Sequence, residues 1–403
     1  MTFKDFGFDE KLLEGIDSMG YQTATPVQEQ VIAPILAGRD IIASAQTGTG
    51  KTAAFLLPVI NKLLTTHHDH HEINAMIIVP TRELAIQIAQ TMEGISYFTS
   101  VSSIAVYGGG DGGLFTAEKK ALSTGVDMVI CTPGRMIAHL NMGYVKLGGL
   151  KYLILDEADR MLDMGFNDDI QKIISFLPKQ RQNLLFSATM PPRMRDLARK
   201  ILHNPLEINI AISKPPEKIV QEAFVVYEPQ KIPLVKHILM QKEFGSVLIF
   251  CSKKQNVKAL SRELKRARFL IEEIHSDLLQ EQREQVLIDF KNKRLKILVA
   301  TDLLSRGIDI EDIDLVINYD VPNDGEDYVH RIGRTARAAS EGTAYTFITE
   351  KEQQKFERIE RLLGHAVTKA KVPEQFGETP AYNPRTARPG QGRRYGGRKP
   401  DRR

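Results

Sequence analysis

Short, unbroken apolar runs set at helix-length intervals constrain this chain more than any other feature. In the first half they fall at residues 40–43, 75–79, 103–107, 127–131, 151–155 and 183–186. A strand with one wet face alternates apolar and polar side chains, so runs dominated by Ile, Val and Leu require cover on both faces. Helices returning between parallel strands supply that cover, and the spacing suits βα units. The rhythm breaks over 211–218, where Pro215 and Pro216 withdraw the backbone donors that a helix or central strand needs. It resumes at 246–251, 270–275, 296–300, 314–319 and 343–349, with helical stretches at 254–266 and 281–292. The expected fold class is α/β: two doubly wound parallel-sheet domains over 1–210 and 219–370, joined by a linker over 211–218.

A length of 403 residues gives each domain enough chain for its own core. Cys131 and Cys251 each end an apolar run and are too few for a disulfide framework, a usage that fits a reducing compartment. No apolar stretch approaches the roughly 20 residues of a membrane span, and the first residues lack a charged segment followed by an apolar one. A cytoplasmic protein without membrane contact is expected. The net charge of +4 hides an asymmetry: residues 371–403 hold nine Lys/Arg against three acids, so the body is slightly acidic. Arg, Gly and Pro dominate this end, which reads as a disordered basic tail able to hold a polyanion. The segment 65–71, Thr-Thr-His-His-Asp-His-His, holds four of the ten histidines and reads as a solvated loop, since crowded imidazoles in a loop lack a fixed ligand scaffold.

Three clusters carry chemistry. Ala45-Gln46-Thr47-Gly48-Thr49-Gly50-Lys51-Thr52 follows the first apolar run and fits the phosphate-binding loop G-x-x-x-x-G-K-[ST], apart from Ala45 in the first glycine position. Backbone N–H groups there converge on phosphate oxygens, Lys51 adds charge at the β/γ-phosphates, and the Thr52 hydroxyl suits Mg²⁺. Asp156-Glu157-Ala158-Asp159 ends the run 151–155, at the strand end that faces the ligand crevice of an open α/β sheet. Asp156 suits Mg²⁺, directly or through water, and Glu157 suits the orientation and deprotonation of an attacking water. In the second half, His330-Arg-Ile-Gly-Arg-Thr-Ala-Arg337 sets Arg334 and Arg337 three apart; on a helix they would share a face and reach one γ-phosphate.

These residues resemble those of the DEAD-box RNA helicases of superfamily 2, from about residue 3 to about residue 370. Gly20-Tyr-Gln-Thr-Ala-Thr-Pro-Val-Gln28 resembles the family's Q motif, with Phe3 at its upstream aromatic position. The resemblance implies that Gln28 reads the adenine edge while Tyr21 and Phe3 pack near the ring, making ATP, with Mg²⁺, the nucleotide. The family form of the phosphate loop already begins with Ala, which removes the anomaly at Ala45. Residues 156–159 spell the DEAD box; Ser187-Ala-Thr189 resembles the motif that couples hydrolysis to strand separation, with Asp159 and His330 as further coupling residues. Residues 300–309 resemble motif V, with Arg306, Gly307 and Asp309 retained and Ser305 where Ala is commoner; 330–337 match motif VI. Two RecA-like domains are the implied architecture. The short N-terminus and basic tail resemble the bacterial RhlE-like group.

The RNA-contacting set of the family is matched by Pro80-Thr81-Arg82, Gly108-Gly109 and Thr132-Pro133-Gly134-Arg135, and in the second half by 249–252 and Thr301. Such hydroxyls, arginines and backbone N–H groups contact phosphates without reading bases, so binding is expected to be sequence-nonspecific. The implied function is ATP-driven, local unwinding or remodelling of RNA duplexes and RNA–protein complexes, in settings such as ribosome biogenesis or RNA decay. Two alternatives stay open from the residues alone: an ATP-driven DNA helicase, and an RNA-annealing chaperone with a vestigial ATPase.

Overall fold

The computed structural model describes residues 1–45, 49–109, 112–210, 219–301, 313–323, 325–335 and 342–384. Of the positions singled out above, the linker 211–218, Gln46, Thr47, Gly48, Ser305, Arg306, Gly307, Asp309, Arg337 and 385–403 lie outside the described residues. The chain divides into two compact units, each built on a seven-stranded sheet whose paired strands all run parallel.

The first unit contains β1 (Ile41–Ser44), β2 (Ala75–Ile78), β3 (Ser103–Val106), β4 (Met128–Cys131), β5 (Tyr152–Leu155), β6 (Gln182–Ser187) and β7 (Leu206–Asn209), in the order β3-β4-β2-β5-β6-β1-β7. Its helices are α1 (Glu10–Ser18), α2 (Pro26–Leu36), α3 (Lys51–Thr65), α4 (Arg82–Ser96), α5 (Gly112–Thr124), α6 (Pro133–Asn141), α7 (Ala158–Asp163), α8 (Asn167–Phe176) and α9 (Pro192–Ile201). Successive residues of a strand point to opposite faces, so each apolar run feeds two cores. Ile77 packs with Phe55, Ile130, Ile154 and Phe186 on one side. Met76 and Ile78 pack with Val129, Leu153 and Leu185 on the other. This double burial is why the runs show no alternation.

The second unit contains β8 (Ile219–Val225), β9 (Val247–Cys251), β10 (Ile271–Ile274), β11 (Ile297–Thr301), β12 (Leu315–Asn318), β13 (Gly342–Ile348) and β14 (Thr368–Lys369), ordered β10-β11-β9-β12-β13-β8-β14. Its described helices are α10 (Lys231–Gln241), α11 (Lys254–Arg266), α12 (Gln280–Lys291), α13 (Gly325–Ile332) and α14 (Gln353–Leu363). Ile249 and Ile317 enter one core and Ala344 and Ile348 the other. Cys131 and Cys251 are both buried and neither forms a disulfide, as their place at the ends of apolar runs implies.

Two expectations change. The ordered chain runs past residue 370: Gln230 donates to Phe376 O at 2.8 Å and Glu378 O at 2.9 Å, the Tyr382 hydroxyl donates to Glu360 at 2.6 Å, and Gln353 bonds Ala381 O and Asn383 N. Residues 371–384 therefore form a strap on the second unit, because Val372, Phe376 and Tyr382 find apolar cover there that composition does not reveal. The histidine segment is the exposed loop expected, but it is not without a fixed scaffold, since the His68 side chain is 6% exposed and bonded to the buried Asp127. Among the described residues no helix is long and apolar enough to cross a membrane.

Candidate active site and RNA-contact rim

The described candidate residues of the first unit after the Q motif lie at the C-terminal ends of its strands, in the turns there and in the first turns of the helices that follow, the rim where open α/β sheets bind ligands. At the end of β1, Ala45 N donates to Ser187 O at 3.1 Å, joining the start of the phosphate loop to the end of β6. Gly50 has φ +87°, a left-handed conformation that turns the chain into α3, and a Cβ there would meet Gln28 Nε2 at 2.6 Å. Lys51, the first residue of α3, is buried, and its ammonium donates to Ala45 O at 2.7 Å across the loop. Thr52 stands beside it, half-buried.

Gln28 sits in the first turn of α2, which Thr25 caps and Pro26 opens. Its oxygen accepts from Thr25 N at 2.9 Å and its amide donates to Gly50 O at 3.0 Å, while Thr25 Oγ1 donates to Thr49 O at 2.8 Å. The Q motif is thus clamped to the phosphate loop. Each end of the Gln28 carboxamide keeps one more donor or acceptor, enough for an adenine edge. Phe3 is buried and its ring centroid lies 6.3 Å from that of Tyr21.

At the end of β5, Asp156 is fully buried, and Glu157 N donates to its carboxylate at 2.9 Å. Burial pushes the Asp156 carboxyl up to about 6; Lys51 opposes the rise, and Glu157 and Asp159 add to it. A buried carboxylate crowded by other acids is a hard-oxygen donor of the kind that Mg²⁺ takes. Glu157 has φ +48°, an uncommon left-handed conformation for a side-chain-bearing residue, and its carboxylate lies 3.3 Å from Arg160. Asp159 turns to β6, accepting from Thr189 N at 2.9 Å and Thr189 Oγ1 at 2.8 Å, while Ser187 Oγ donates to Thr189 O at 2.7 Å. The acidic tetrad and the Ser187–Thr189 turn are therefore mechanically one piece.

The ends of β2, β3 and β4 carry the other set. Thr81 caps α4, its Oγ1 accepting from Leu84 N at 3.3 Å, and Arg82 lies over the Tyr107 ring at 4.7 Å. Gly109, at φ +90°, brings the backbone to Arg82: a Cβ would stand 3.4 Å from its guanidinium. Pro133 opens α6 after Thr132, and Arg135 stacks on Phe115 at 4.5 Å while donating to Glu118 at 2.7 Å. Glu118 is 3% exposed and also bonds His139 Nε2 at 2.9 Å and Tyr107 N at 3.2 Å. Burial raises its carboxyl, but His139, Arg135 and Tyr107 N more than offset this and hold it below the ordinary value. Sequence reasoning missed Glu118, Tyr107 and Phe115.

In the second unit, Thr301 ends β11 opposite Cys251 of β9, and Ser252 N donates to Asp320 at 2.8 Å. Arg334 is not helical: α13 stops at Ile332, Gly333 and Arg334 turn, and Thr335 bridges to Ile313, while Arg337 lies outside the described residues. Ile313 N donates to Arg334 O at 3.2 Å, which draws the backbone off the helical path. His330 remains on α13. Of the motif's arginines, Arg331 is structural, buried and donating to Asn318 Oδ1 and Asp320 O at 3.0 Å each.

Two parallel-sheet units, one bearing a phosphate loop, a buried acidic tetrad and an arginine-bearing rim, define a nucleotide-driven motor class. Residues 25–197 match the family described as DEAD/DEAH box helicase, and 230–339 match the helicase conserved C-terminal domain. The chain is 43% identical over 351 residues to the ATP-dependent RNA helicase CshA of Listeria monocytogenes, covering 87% of this chain and 66% of that one. It is 37% identical over 374 residues to the ATP-dependent RNA helicase DbpA of Bacillus subtilis, covering 93% and 77%. Neither relative carries the RhlE name. Saccharomyces cerevisiae Dbp5 bound to RNA and ADP BeF3 superposes with a TM-score of 0.80 at 29% identity, over 91% of this chain and 95% of that chain. The chain belongs to the DEAD-box ATP-dependent RNA helicases, and both its units are RecA-like.

Proposed function

We propose that this chain uses ATP binding and hydrolysis to open short RNA duplexes and remodel RNA–protein complexes without reading sequence, and that it works in the cytoplasm in processes such as ribosome biogenesis or RNA decay. The observation that carries the reading is the shared rim, on which the phosphate loop and acidic tetrad stand beside a cationic, hydroxyl-rich set suited to RNA phosphates.

In this reading Gln28 holds the adenine edge, Phe3 and Tyr21 flank the ring, and residues 45–52 hold the phosphates, with Asp309 contributing from the second unit. Thr52 and Asp156 would hold Mg²⁺, partly through water; that ion supplies charge neutralisation on the phosphates. Glu157 orients the attacking water and takes its proton, while Lys51, Arg334 and Arg337 offset the charge that develops on the γ-phosphoryl group. RNA is held by Pro80, Thr81, Arg82, Gly108, Gly109 and 132–135, together with Thr301, Arg306 and Gly307. ATP and RNA that each engage both units favour a closed state in which the RNA is bent; hydrolysis then releases it. Asp159, Ser187, Thr189 and His330 couple the two events.

Steady-state ATP hydrolysis with single-stranded RNA, matched DNA or neither, at fixed salt, tests the reading. RNA alone should stimulate turnover. Equal stimulation by DNA would replace it with a DNA helicase, and no stimulation with an annealing chaperone. Glu157→Gln should bind ATP and RNA as the parent does and lose most turnover; undiminished turnover would remove Glu157 as the base.

A further inference from the structure

The histidine segment joins α3 to β2, and Asp127 immediately precedes β4, so both lie at the N-terminal edge of the first sheet, opposite the phosphate loop. The segment is exposed but fastened. Lys151 Nζ donates to His67 O at 2.8 Å, Asn74 Nδ2 to Asp69 O at 2.8 Å and Glu72 O at 2.9 Å, and His71 N to Asp69 Oδ1 at 2.8 Å. Gly125, at φ +120°, lets it pack so closely that a Cβ there would meet His71 Cα at 2.4 Å.

On this scaffold two imidazoles converge on one oxygen. His68 Nε2 and His70 Nδ1 each lie 3.0 Å from Asp127 Oδ1. The Asp127 side chain is 2% exposed, and its other oxygen accepts from Ser102 N at 2.8 Å and Ser102 Oγ at 2.7 Å, which turns Oδ1 toward the rings. His68 Nδ1 lies 3.2 Å from Thr66 O, a carbonyl that only accepts. A neutral imidazole has a single N–H. With that proton on Nε2 the ring donates to Asp127 Oδ1; with it on Nδ1, the Nε2 lone pair faces a carboxylate oxygen, an arrangement that a cation between them would satisfy.

We propose that His68, His70 and Asp127 bind a divalent transition-metal ion of the Zn²⁺ type. The three donor atoms lie within 4.8 Å of one another. A tetrahedral ion with bonds of about 2.0–2.1 Å has ligand edges of about 3.4 Å, so the cluster needs only small adjustment. Two nitrogens and one oxygen favour Zn²⁺ over Mg²⁺ or Ca²⁺, which take oxygen sets. The carbonyl on His68 and the Ser102 bonds on Asp127 are the outer contacts that orient metal ligands. His70 is mostly exposed, which leaves water or an external donor access to a fourth position. The ion would pin the loop before β2 to the start of β4, away from the ATP rim.

The full chain, untagged and stripped with chelator, should bind one equivalent of Zn²⁺ by calorimetry, and its unfolding midpoint should rise with Zn²⁺. His70→Ala, at an exposed ring whose loss leaves folding intact, should weaken binding at least about tenfold and abolish the rise. His67→Ala and His71→Ala, whose rings stand outside the cluster, should bind as the parent does. The proposal is overturned by an absence of saturable binding, by a midpoint indifferent to Zn²⁺, or by equal losses across all three variants, which would mark a loose polyhistidine chelator.

Discussion

At the residue scale, the groups that ligand chemistry dictates were legible and those that aim them were not. Lys51, Thr52, Asp156 and Glu157 stand in spacings that phosphate and water activation require. Glu118 stands in Ala-Glu-Lys-Lys-Ala, the composition of an ordinary solvated helix face, and only the fold brings it under Arg135, 17 residues along the chain. If Arg135 contacts an RNA phosphate, Arg135→Ala should weaken binding evenly across sequences and lower the salt slope by about one. Glu118→Gln should produce a smaller RNA defect with ATP affinity unchanged, since it loosens the arginine without removing it. Anisotropy titrations with two unrelated RNAs check both; a sequence-dependent loss would contradict phosphate contact.

At the element scale, long apolar runs revealed their strands, whereas β7, β8 and β14 escaped. β7 and β14 flank their sheets, β14 has two residues, and β8 carries Gln221-Glu222 at its centre. The end of α13 was likewise hidden, because a hydrogen bond from the distant Ile313 overrides local helical spacing. The start of α10 carries a tertiary device of its own. Lys231 is 1% exposed and donates to Asp320 at 2.9 Å, with Glu228 at 3.0 Å and Tyr319 beneath it. Lys231→Ala strands the buried Asp320 carboxylate and should cost about 3–5 kcal/mol in the second unit, with Lys231→Met no remedy for the charge. Burial raises the Asp320 carboxyl, yet Lys231, Ser252 N and Asn256 more than offset it and leave it below the ordinary value. Its contribution is therefore complete above the ordinary carboxylate range and disappears as pH falls through the lowered value. The acid limb of the unfolding profile should be shallower in Asp320→Asn; identical limbs would exclude the linkage.

At the scale of the whole molecule, the strap and the basic end are separable. Residues 385–403 hold eight Lys/Arg against one acid, so cutting after 384 should flatten the salt dependence of RNA binding and leave the unfolding midpoint unchanged. Cutting after 370 should also lower the midpoint, because Tyr382 and the bonds to Gln230 and Gln353 are lost. Tyr382→Phe alone should cost roughly 1.5–3 kcal/mol, the range for a hydrogen bond to a charged group. Equal midpoints for both truncations would show that the strap adds nothing.

By itself the sequence determined the fold class and the residue types of the expected ATP and RNA sets, because burial on two faces and phosphate chemistry each impose local patterns. Along the chain the two sets interleave: phosphate loop, 80–82, 108–109, 132–135, tetrad, 187–189. The sheet order β3-β4-β2-β5-β6-β1 sorts them, gathering the expected RNA contacts after three adjacent strands and the nucleotide residues after the next three. That sorting, like the strap and the histidine–aspartate cluster, was decided only in the tertiary structure, since strand adjacency depends on crossovers whose direction no local pattern records.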